Sequence, residues 1–149
     1  MATRVITSPE GAEKLAAFLL ARKLPVTVTV TAGAGRREAQ NRLAQRWFTD
    51  IARQTDDTHP EVRADCKVTF GVEILRAENE AFRQEWDAMF RPLGYEGQRR
   101  AVRVLDLPVT RLMTVKQMTA FMDAMHRYWS AMGVRLTDPE AMKYEEEFA

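Results

Sequence analysis

Residues 35–54, GRREAQNRLAQRWFTDIARQ, predict a long helix. Their apolar members recur at intervals of three and four, which is the spacing of one helix face. These members are Ala39, Leu43, Ala44, Trp47, Phe48 and Ile51. At ~100° per residue Gln40 falls in the middle of this apolar arc, while Arg42, Arg46 and Arg53 lie on the opposite face. The segment therefore predicts an amphipathic helix with one amide directed inward.

The chain length and composition are those of an ordinary globular protein. With 149 residues, 46% of them hydrophobic and 29% charged, we expect one domain over residues 1–149 with a core of its own. The only cysteine, Cys66, excludes an internal disulfide and is typical of a reducing cytoplasm. The longest apolar run, residues 15–21, is too short to span a bilayer. Acidic residues rather than a basic leader precede it, which argues against a signal peptide. We therefore expect a cytoplasmic protein with no membrane segment.

Charge is distributed unevenly along the chain, although the net charge is only +1. Residues 91–116 are mainly basic, and residues 138–147 are mainly acidic. This separation predicts surfaces of opposite sign that serve different partners. Arginine outnumbers lysine by seventeen to five. Arginine suits bidentate phosphate contacts, but a GC-rich genome produces the same bias.

Three segments read as strands, and the rest of the chain reads mostly as helix. Residues 25–31, PVTVTVT, alternate Val and Thr without interruption and form the clearest strand pattern. Residues 3–7 and 101–105 are shorter strand candidates. Residues 66–75, CKVTFGVEIL, also alternate, but their helical flanks favour a buried helix. The sequence thus predicts an α+β fold, a single mostly helical domain with a small β-sheet.

Helix starts are marked by capping residues followed by proline or a long periodic pattern. Ser8 and Thr58 precede prolines in the first turn, and Thr114 begins a helix that Gly133 ends. The helix that begins at Thr114 has a wide methionine-rich face. Such a face predicts either a part of the core or a pliable contact surface. Because the arc is wider than one side of a core requires, we expect a homodimer. The candidate interface residues are Met118, Met122, Met125 and Trp129.

No pattern indicates catalysis. His59 and His126 lie far apart and are not at metal-ligand spacing with carboxylates, and Cys66 lies in an apolar run. The sequence contains no nucleophile elbow, Walker loop or dinucleotide fingerprint. We therefore expect a protein that is not an enzyme and that uses neither a metal nor a cofactor.

Arginines predict a phosphate-binding surface. Arg36 and Arg37 lie in the first turn of the opening helix, where cations are unfavourable unless an anion is bound. The basic segment supplies further candidates. The predicted nucleic-acid contacts are Arg36, Arg37, Arg42, Arg46, Arg99, Arg100 and Arg103. Trp47, Phe48 or Tyr95 would stack on bases if exposed. The alternative is that these arginines form an ordinary solvated helix face.

Two segments resemble the NinB (Orf) family of phage recombination proteins. Residues 36–54 have an arginine, a spacer, Gln-Asn-Arg and then an aromatic, as at the start of that family's long helix. Residues 109–141, VTRLMTVKQMTAFMDAMHRYWSAMGVRLTDPEA, are similar to its C-terminal half. There a Ser/Thr-Arg pair precedes an amphipathic helix, a Gly-Val turn and an acidic helix. Residues 55–100 match only loosely.

This resemblance implies a small α+β subunit that forms a homodimer, binds single-stranded DNA and belongs to a phage or prophage in a bacterial cell. Such a protein acts as a recombination mediator. It helps an annealing or strand-exchange protein onto DNA coated by single-strand-binding protein. The resemblance also implies that Gln40 and Asn41 anchor a buried polar network. Arg111, which matches the family's Arg after Ser/Thr, is then a phosphate contact or a partner of that network.

Two other classes of function remain open from the sequence. One is a protein-interaction module without DNA binding, which would use the methionine-rich helix face and the acidic C-terminal helix. The other is a small nuclease, which is disfavoured because no carboxylate cluster or histidine pair supports it. Binding of a labelled oligonucleotide across a salt series separates the DNA-binding protein from the interaction module.

Overall fold

The computed structural model describes residue 4, residues 6–30 and residues 34–148, with the side chains of residues 34–36 and 146–148 outside the description. The described chain is built from helices. The α-helices are α1 (Pro9–Leu20), α2 (Ala34–Gln54), α3 (His59–Cys66), α4 (Val72–Glu78), α5 (Glu80–Met89), α6 (Gly94–Leu105), α7 (Val115–Ala131) and α8 (Pro139–Phe148). A π-helical segment, Lys67–Gly71, joins α3 to α4, and short 3₁₀ turns, Arg91–Leu93 and Thr110–Leu112, precede α6 and α7.

The chain divides into two compact units, Met1–Ala39 and Gln40–Ala149. The expectation of a single domain over residues 1–149 stays a prediction. In the first unit, Ser8 caps α1 as expected, because its Oγ accepts a hydrogen bond from the Gly11 N–H at 3.1 Å. The guanidiniums of Arg4 and Arg22 lie 4.5 and 4.9 Å from the centre of the Phe18 ring, within cation–π range.

The predicted α+β fold is wrong, because the described residues form helices and no strand. Residues 25–30 are neither helical nor paired, and Thr31 lies outside the described residues. Their alternation fits a strand, but a strand also needs a neighbour for its backbone hydrogen bonds and a buried face. Val28 and Val30 are instead 49% and 87% exposed.

The two shorter strand predictions are also corrected. Of residues 3–7, Thr3 and Val5 lie outside the described residues, and residues 6 and 7 are irregular. Residues 101–105 form the end of α6. Only Val102 of this segment is buried, at 1% exposure, while Val104 is 67% exposed. The run is thus one turn of an amphipathic helix with a single inward residue, which alternation cannot distinguish from a strand over so short a length.

The second unit encloses the core, and α3 and α7 begin where the sequence predicts. Thr58 and Thr114 each form a capping box, with Glu61 and Gln117 respectively. α3 packs against α6, and α4 packs against α5 and α7. The largest fully buried side chains, which come from α2, α4 and α7, are those of Phe48, Phe121, Ile51, Leu75 and Met125. No helix among the described residues is long and apolar enough to cross a bilayer.

Residues 66–75 are helical, as expected, but with a π-helical segment inside the run. There Gly71 is required by a close approach: a Cβ added to it would lie 2.8 Å from Cγ1 of the buried Val109. π-helical turns are frequent at functional sites. This one begins at Lys67, whose side chain is 3% exposed.

The methionine-rich face of α7 belongs to the core of the chain. Met118, Met122 and Met125 are 4%, 6% and 0% exposed, and Trp129 is half-buried against the same core. Buried side chains offer no surface to a partner. The three methionines therefore serve packing in the described chain, and Trp129 is partly used in the same way, while the homodimer itself stays a prediction.

Residues 135–137 form what we call the C-terminal clasp, because they are hydrogen bonded to the second half of α2. The Trp47 indole N–H donates to the Thr137 carbonyl at 2.8 Å, and Asp50 Oδ2 accepts from the Thr137 N–H and hydroxyl at 2.8 and 2.7 Å. The Gln54 amide exchanges two 2.8 Å hydrogen bonds with the Arg135 backbone. The clasp therefore fixes the segment that leads into α8.

Candidate nucleic-acid interface

Helix α6 carries an aromatic side chain and arginines on one surface. Tyr95, Arg99 and Arg103 recur at intervals of four, so they follow one another along one helix face. Tyr95 is 45% exposed. Arg99 is half-buried, and Arg103 is exposed. Because the other predicted stacking residues, Trp47 and Phe48, are 5% and 1% exposed, Tyr95 is the aromatic among the three that can meet a base.

α3 and α6 are parallel and are joined by ion pairs along their seam. Arg99 lies 3.9 Å from Asp57, which precedes α3, and Arg103 lies 4.0 Å from Glu61. In the third pair the basic residue is on α3 and the acidic residue is on α6. Here Arg63 lies 3.1 Å from Asp106, the residue that ends α6. The pairs advance in the same direction along both segments. Basic groups thus occupy the seam along its whole length.

A cleft of about 410 Å³ opens on this seam, lined by Glu61, Glu96, Gly97, Arg99, Arg100 and Arg103. Its ion pairs of 3.9 to 4.0 Å are too long to be hydrogen bonds. The N–H donors of Arg99 and Arg103 are therefore available to another acceptor. A hydrogen bond from the Thr58 backbone, followed by the charges of Arg99 and Arg103, lowers the pKa of Glu61. Glu61 is consequently ionised at neutral pH, and the lining carries three positive and two negative charges.

Beyond the cleft lies what we call the Lys67 cluster: Arg63, Lys67, Asp106 and Arg111. Asp106 ends α6 in the left-handed conformation, with φ 49°. Its carboxylate accepts a hydrogen bond from Arg63 at 3.1 Å, and its carbonyl accepts one from Arg111 at 3.3 Å. Burial, followed by the charge of Arg63, lowers the pKa of Lys67 to about 8. Lys67 and Arg63 were not predicted as site residues from the sequence. The only available signal was a lysine inside the apolar run 66–75.

The arginines predicted as phosphate contacts on α2 differ in their exposure and in their ion pairs. The Arg36 side chain lies outside the described residues, and Arg37 is exposed in the first unit. Arg42 is exposed. Arg46 is half-buried, with Nη1 3.3 Å from Glu145 on α8 and Nε 3.7 Å from Asp50. The structure gives Arg46 a role in holding α8 to α2, and neither Arg42 nor Arg46 is among the residues that line the cleft.

Gln40 is directed toward α7, as expected. Its Nε2 donates to Thr119 Oγ1 at 2.7 Å, and its Oε1 is buried without a hydrogen-bond partner among the described residues. The neighbouring Asn41 is exposed. The buried polar contact at the start of the second unit therefore includes Gln40 and Thr119, with Asn41 outside it. Arg111, the third residue considered for this network, is exposed and lies in the Lys67 cluster.

The remaining titratable candidates show no catalytic arrangement. Burial raises the pKa of the Cys66 thiol to about 12, so it is an inert core residue at neutral pH. His59 packs edge-on against Phe48, with ring centres 5.9 Å apart, and His126 packs against Trp47 at 5.5 Å. The described residues contain no group of three histidine, cysteine or carboxylate side chains placed to hold a metal ion.

Comparison with protein-family models, curated proteins and solved structures gives no match to this chain. The resemblance to the NinB family therefore depends on the sequence motifs of residues 36–54 and 109–141. The geometry of the cleft is independent of that resemblance, because it follows from the placement of α3 and α6.

Proposed function

We propose that this chain is a non-enzymatic protein that binds single-stranded DNA, with the α3–α6 cleft as its phosphate-binding surface. The observation that carries the proposal is the convergence of Arg99, Arg100 and Arg103 on one cleft, with exposed Tyr95 one helical turn from Arg99. Arginines supply phosphate contacts that do not depend on sequence, and an exposed aromatic ring supplies stacking on an unpaired base. This combination is typical of single-strand binding.

The resemblance to the NinB family supports a role as a phage recombination mediator. In that role the protein would act as a homodimer in a bacterial cell, encoded by a phage or prophage. It would assist the loading of an annealing or strand-exchange protein onto strands covered by single-strand-binding protein. No cofactor is required, since binding and hand-over of a strand involve no chemical step.

The alternative, a protein-interaction module without DNA binding, is less favoured by the geometry. It would use the methionine-rich face of α7 and the acidic helix α8. Met118, Met122 and Met125 are core residues, and Glu145 of α8 is paired with Arg46 of α2. These methionines and Glu145 therefore already have partners within the chain, whereas the alternative needs them on a free surface.

The test is binding of a fluorescent oligonucleotide, single- and double-stranded, over a series of salt concentrations. Each phosphate contact on a single strand contributes about −0.7 to the slope of log K against log salt. The triple variant Arg99→Gln, Arg100→Gln, Arg103→Gln should flatten the slope by about 2. The matched control removes the same charge elsewhere, through Arg83→Gln, Arg127→Gln and Arg135→Gln.

Equal slopes for the cleft variant and the control would remove the cleft from the DNA-binding surface. Absence of binding by the wild-type protein would favour the interaction module. Tighter binding of duplex than of single strands would contradict the role of Tyr95, because paired bases do not expose their faces for stacking.

A further inference from the structure

Helix α2 carries a row of arginines on the face opposite the core. Arg42, Arg46 and Arg53 are separated by four and seven residues, so they lie within ~40° of one another around the helix axis. Arg42 and Arg53 are exposed, and Arg46 is half-buried. We call these three residues the α2 stripe. Like charges in a row on one helix face attract a polyanion, and guanidinium groups are suited to phosphate.

The acidic helix α8 supplies a carboxylate to the α2 stripe. Glu145 Oε2 accepts a hydrogen bond from Arg46 Nη1 at 3.3 Å. α8 contains four glutamates and one lysine, so its charge is opposite to that of the stripe. A carboxylate oxygen therefore occupies the guanidinium of Arg46, to which a phosphate oxygen of a bound strand would otherwise bind.

Little apolar surface holds α8 in place. Of its described side chains, only that of Met142 is not exposed. A surface helix normally buries an apolar stripe, and a helix of ten residues is marginal by itself. The C-terminal clasp fixes the segment that precedes α8. Further along, the side chains of Arg46 and Glu145 are 37% and 55% exposed, and an ion pair so exposed contributes little stability. α8 can therefore separate from α2 without disturbing the core.

The contact with α8 leaves part of the Arg46 guanidinium unused. Its Nε is buried and has no hydrogen-bond partner among the described residues, because Asp50 Oδ1 lies 3.7 Å away, beyond hydrogen-bond distance. The other oxygen of Asp50 already accepts two hydrogen bonds from Thr137. Guanidinium groups bind phosphate most strongly through two donors at once. Since Glu145 accepts from one donor, a phosphate is able to replace it.

We propose that the α2 stripe is a second binding surface for single-stranded DNA and that α8 restricts access to it, with Glu145 competing against a backbone phosphate for Arg46. This inference depends on the DNA-binding function proposed above. None of the residues that line the α3–α6 cleft belongs to α2 or α8, so the cleft is open with α8 in place. Displacement of α8 adds phosphate contacts without changing the cleft. α8 thereby sets the affinity of the protein for DNA.

The experiment measures the affinity of full-length variants for a fluorescent single-stranded oligonucleotide over a series of salt concentrations. Glu145→Gln should tighten binding about threefold, within the range of an exposed ion pair. It should also steepen the slope of log K against log salt by about 0.7, the contribution of one phosphate contact. The gain should vanish in the Arg46→Gln background, where the double variant should bind no more tightly than Arg46→Gln alone. Glu140→Gln, which removes the same charge from an exposed position in the first turn of α8, is the matched control and should leave the slope unchanged.

Equal binding by wild type and Glu145→Gln at every salt concentration would overturn the restriction by α8 and leave the proposed DNA binding in place. If Glu140→Gln tightens binding as much as Glu145→Gln, or if the gain persists without Arg46, the effect is a general loss of negative charge and the assignment to the α2 stripe is wrong. Failure of both wild type and Glu145→Gln to bind any strand would overturn both proposals. Binding by Glu145→Gln alone, lost again with Arg46→Gln, would support the restriction by α8 while contradicting the role of the cleft.

Discussion

Replacing Lys67 by methionine should stabilise the protein at neutral pH and remove part of its pH dependence. Lys67→Met keeps an unbranched side chain of similar length in the buried position and deletes the ammonium. In the wild-type protein that ammonium is held in a setting that lowers its pKa from 10.5 to about 8, mainly through burial. The folded state therefore disfavours the charged form of Lys67, whereas the unfolded chain does not.

The size and sign of the effect follow from that difference in pKa. A fall from 10.5 to about 8 corresponds to roughly 3 kcal/mol of penalty on the charged form. Between these two pKa values the unfolded chain binds more protons than the native one, so native stability rises with pH. The penalty is complete below pH 8 and disappears as the pH passes 10.5. The stability advantage of Lys67→Met should therefore shrink by about 2 to 3 kcal/mol between neutral pH and about pH 10.

Urea unfolding at the two pH values measures this change. Any effect of methionine packing is the same at both pH values, so it cancels in the comparison. Lys116→Met serves as the exposed control, and its stability difference from wild type should be the same at both pH values. If the advantage of Lys67→Met does not change with pH, the ammonium is well solvated or paired in the native protein.

Four further variants test the packing and the ion pairs. Gln40→Ala should lower the free energy of unfolding by about 1 kcal/mol because it removes the hydrogen bond to α7, and an unchanged urea midpoint would contradict this. Gly71→Ala should cost about 1–3 kcal/mol in thermal unfolding, since its Cβ would lie 2.8 Å from a buried valine methyl. Met118→Glu should unfold the chain, as shown by circular dichroism; a folded variant with altered sedimentation would instead place Met118 at an interface. Arg76→Gln breaks hydrogen bonds of 2.7 and 3.1 Å to Asp87, whose pKa Arg76 lowers. The difference in unfolding free energy between wild type and Arg76→Gln should be present above pH 3.8. It should be lost as the pH falls below that value and Asp87 becomes protonated.

Features that depend on neighbouring residues were predictable from the sequence. Ser8, Thr58 and Thr114 cap their helices as expected, because a capping side chain reaches a backbone N–H only two or three residues away. The inward direction of Gln40 follows from helical periodicity alone. Its partner Thr119 was not predictable, since it lies 79 residues further along the chain.

The strand predictions were wrong because a strand forms only when a segment from elsewhere in the chain pairs with it. The alternation of residues 25–31 specifies which side chains share a face, but it says nothing about whether another strand lies beside them. For the site, the basic segment pointed to Arg99, Arg100 and Arg103, which do converge on a cleft. The burial of Lys67 comes from the packing of several helices around it, which no local pattern encodes.

The C-terminal clasp has a consequence for the order in which the protein is made. Its hydrogen bonds join residues that are 81 to 90 positions apart in the chain. A nascent chain therefore exposes the second half of α2 to water long before the ribosome has added residue 137. Until then Trp47 and Asp50 have no protein partner in the clasp, and closing so long a loop carries an entropy cost that only the finished contacts repay. Folding of α2 onto its final neighbours is accordingly a late event in synthesis, and a chain that stalls before residue 135 presents a half-built core to the proteases and chaperones of the cell.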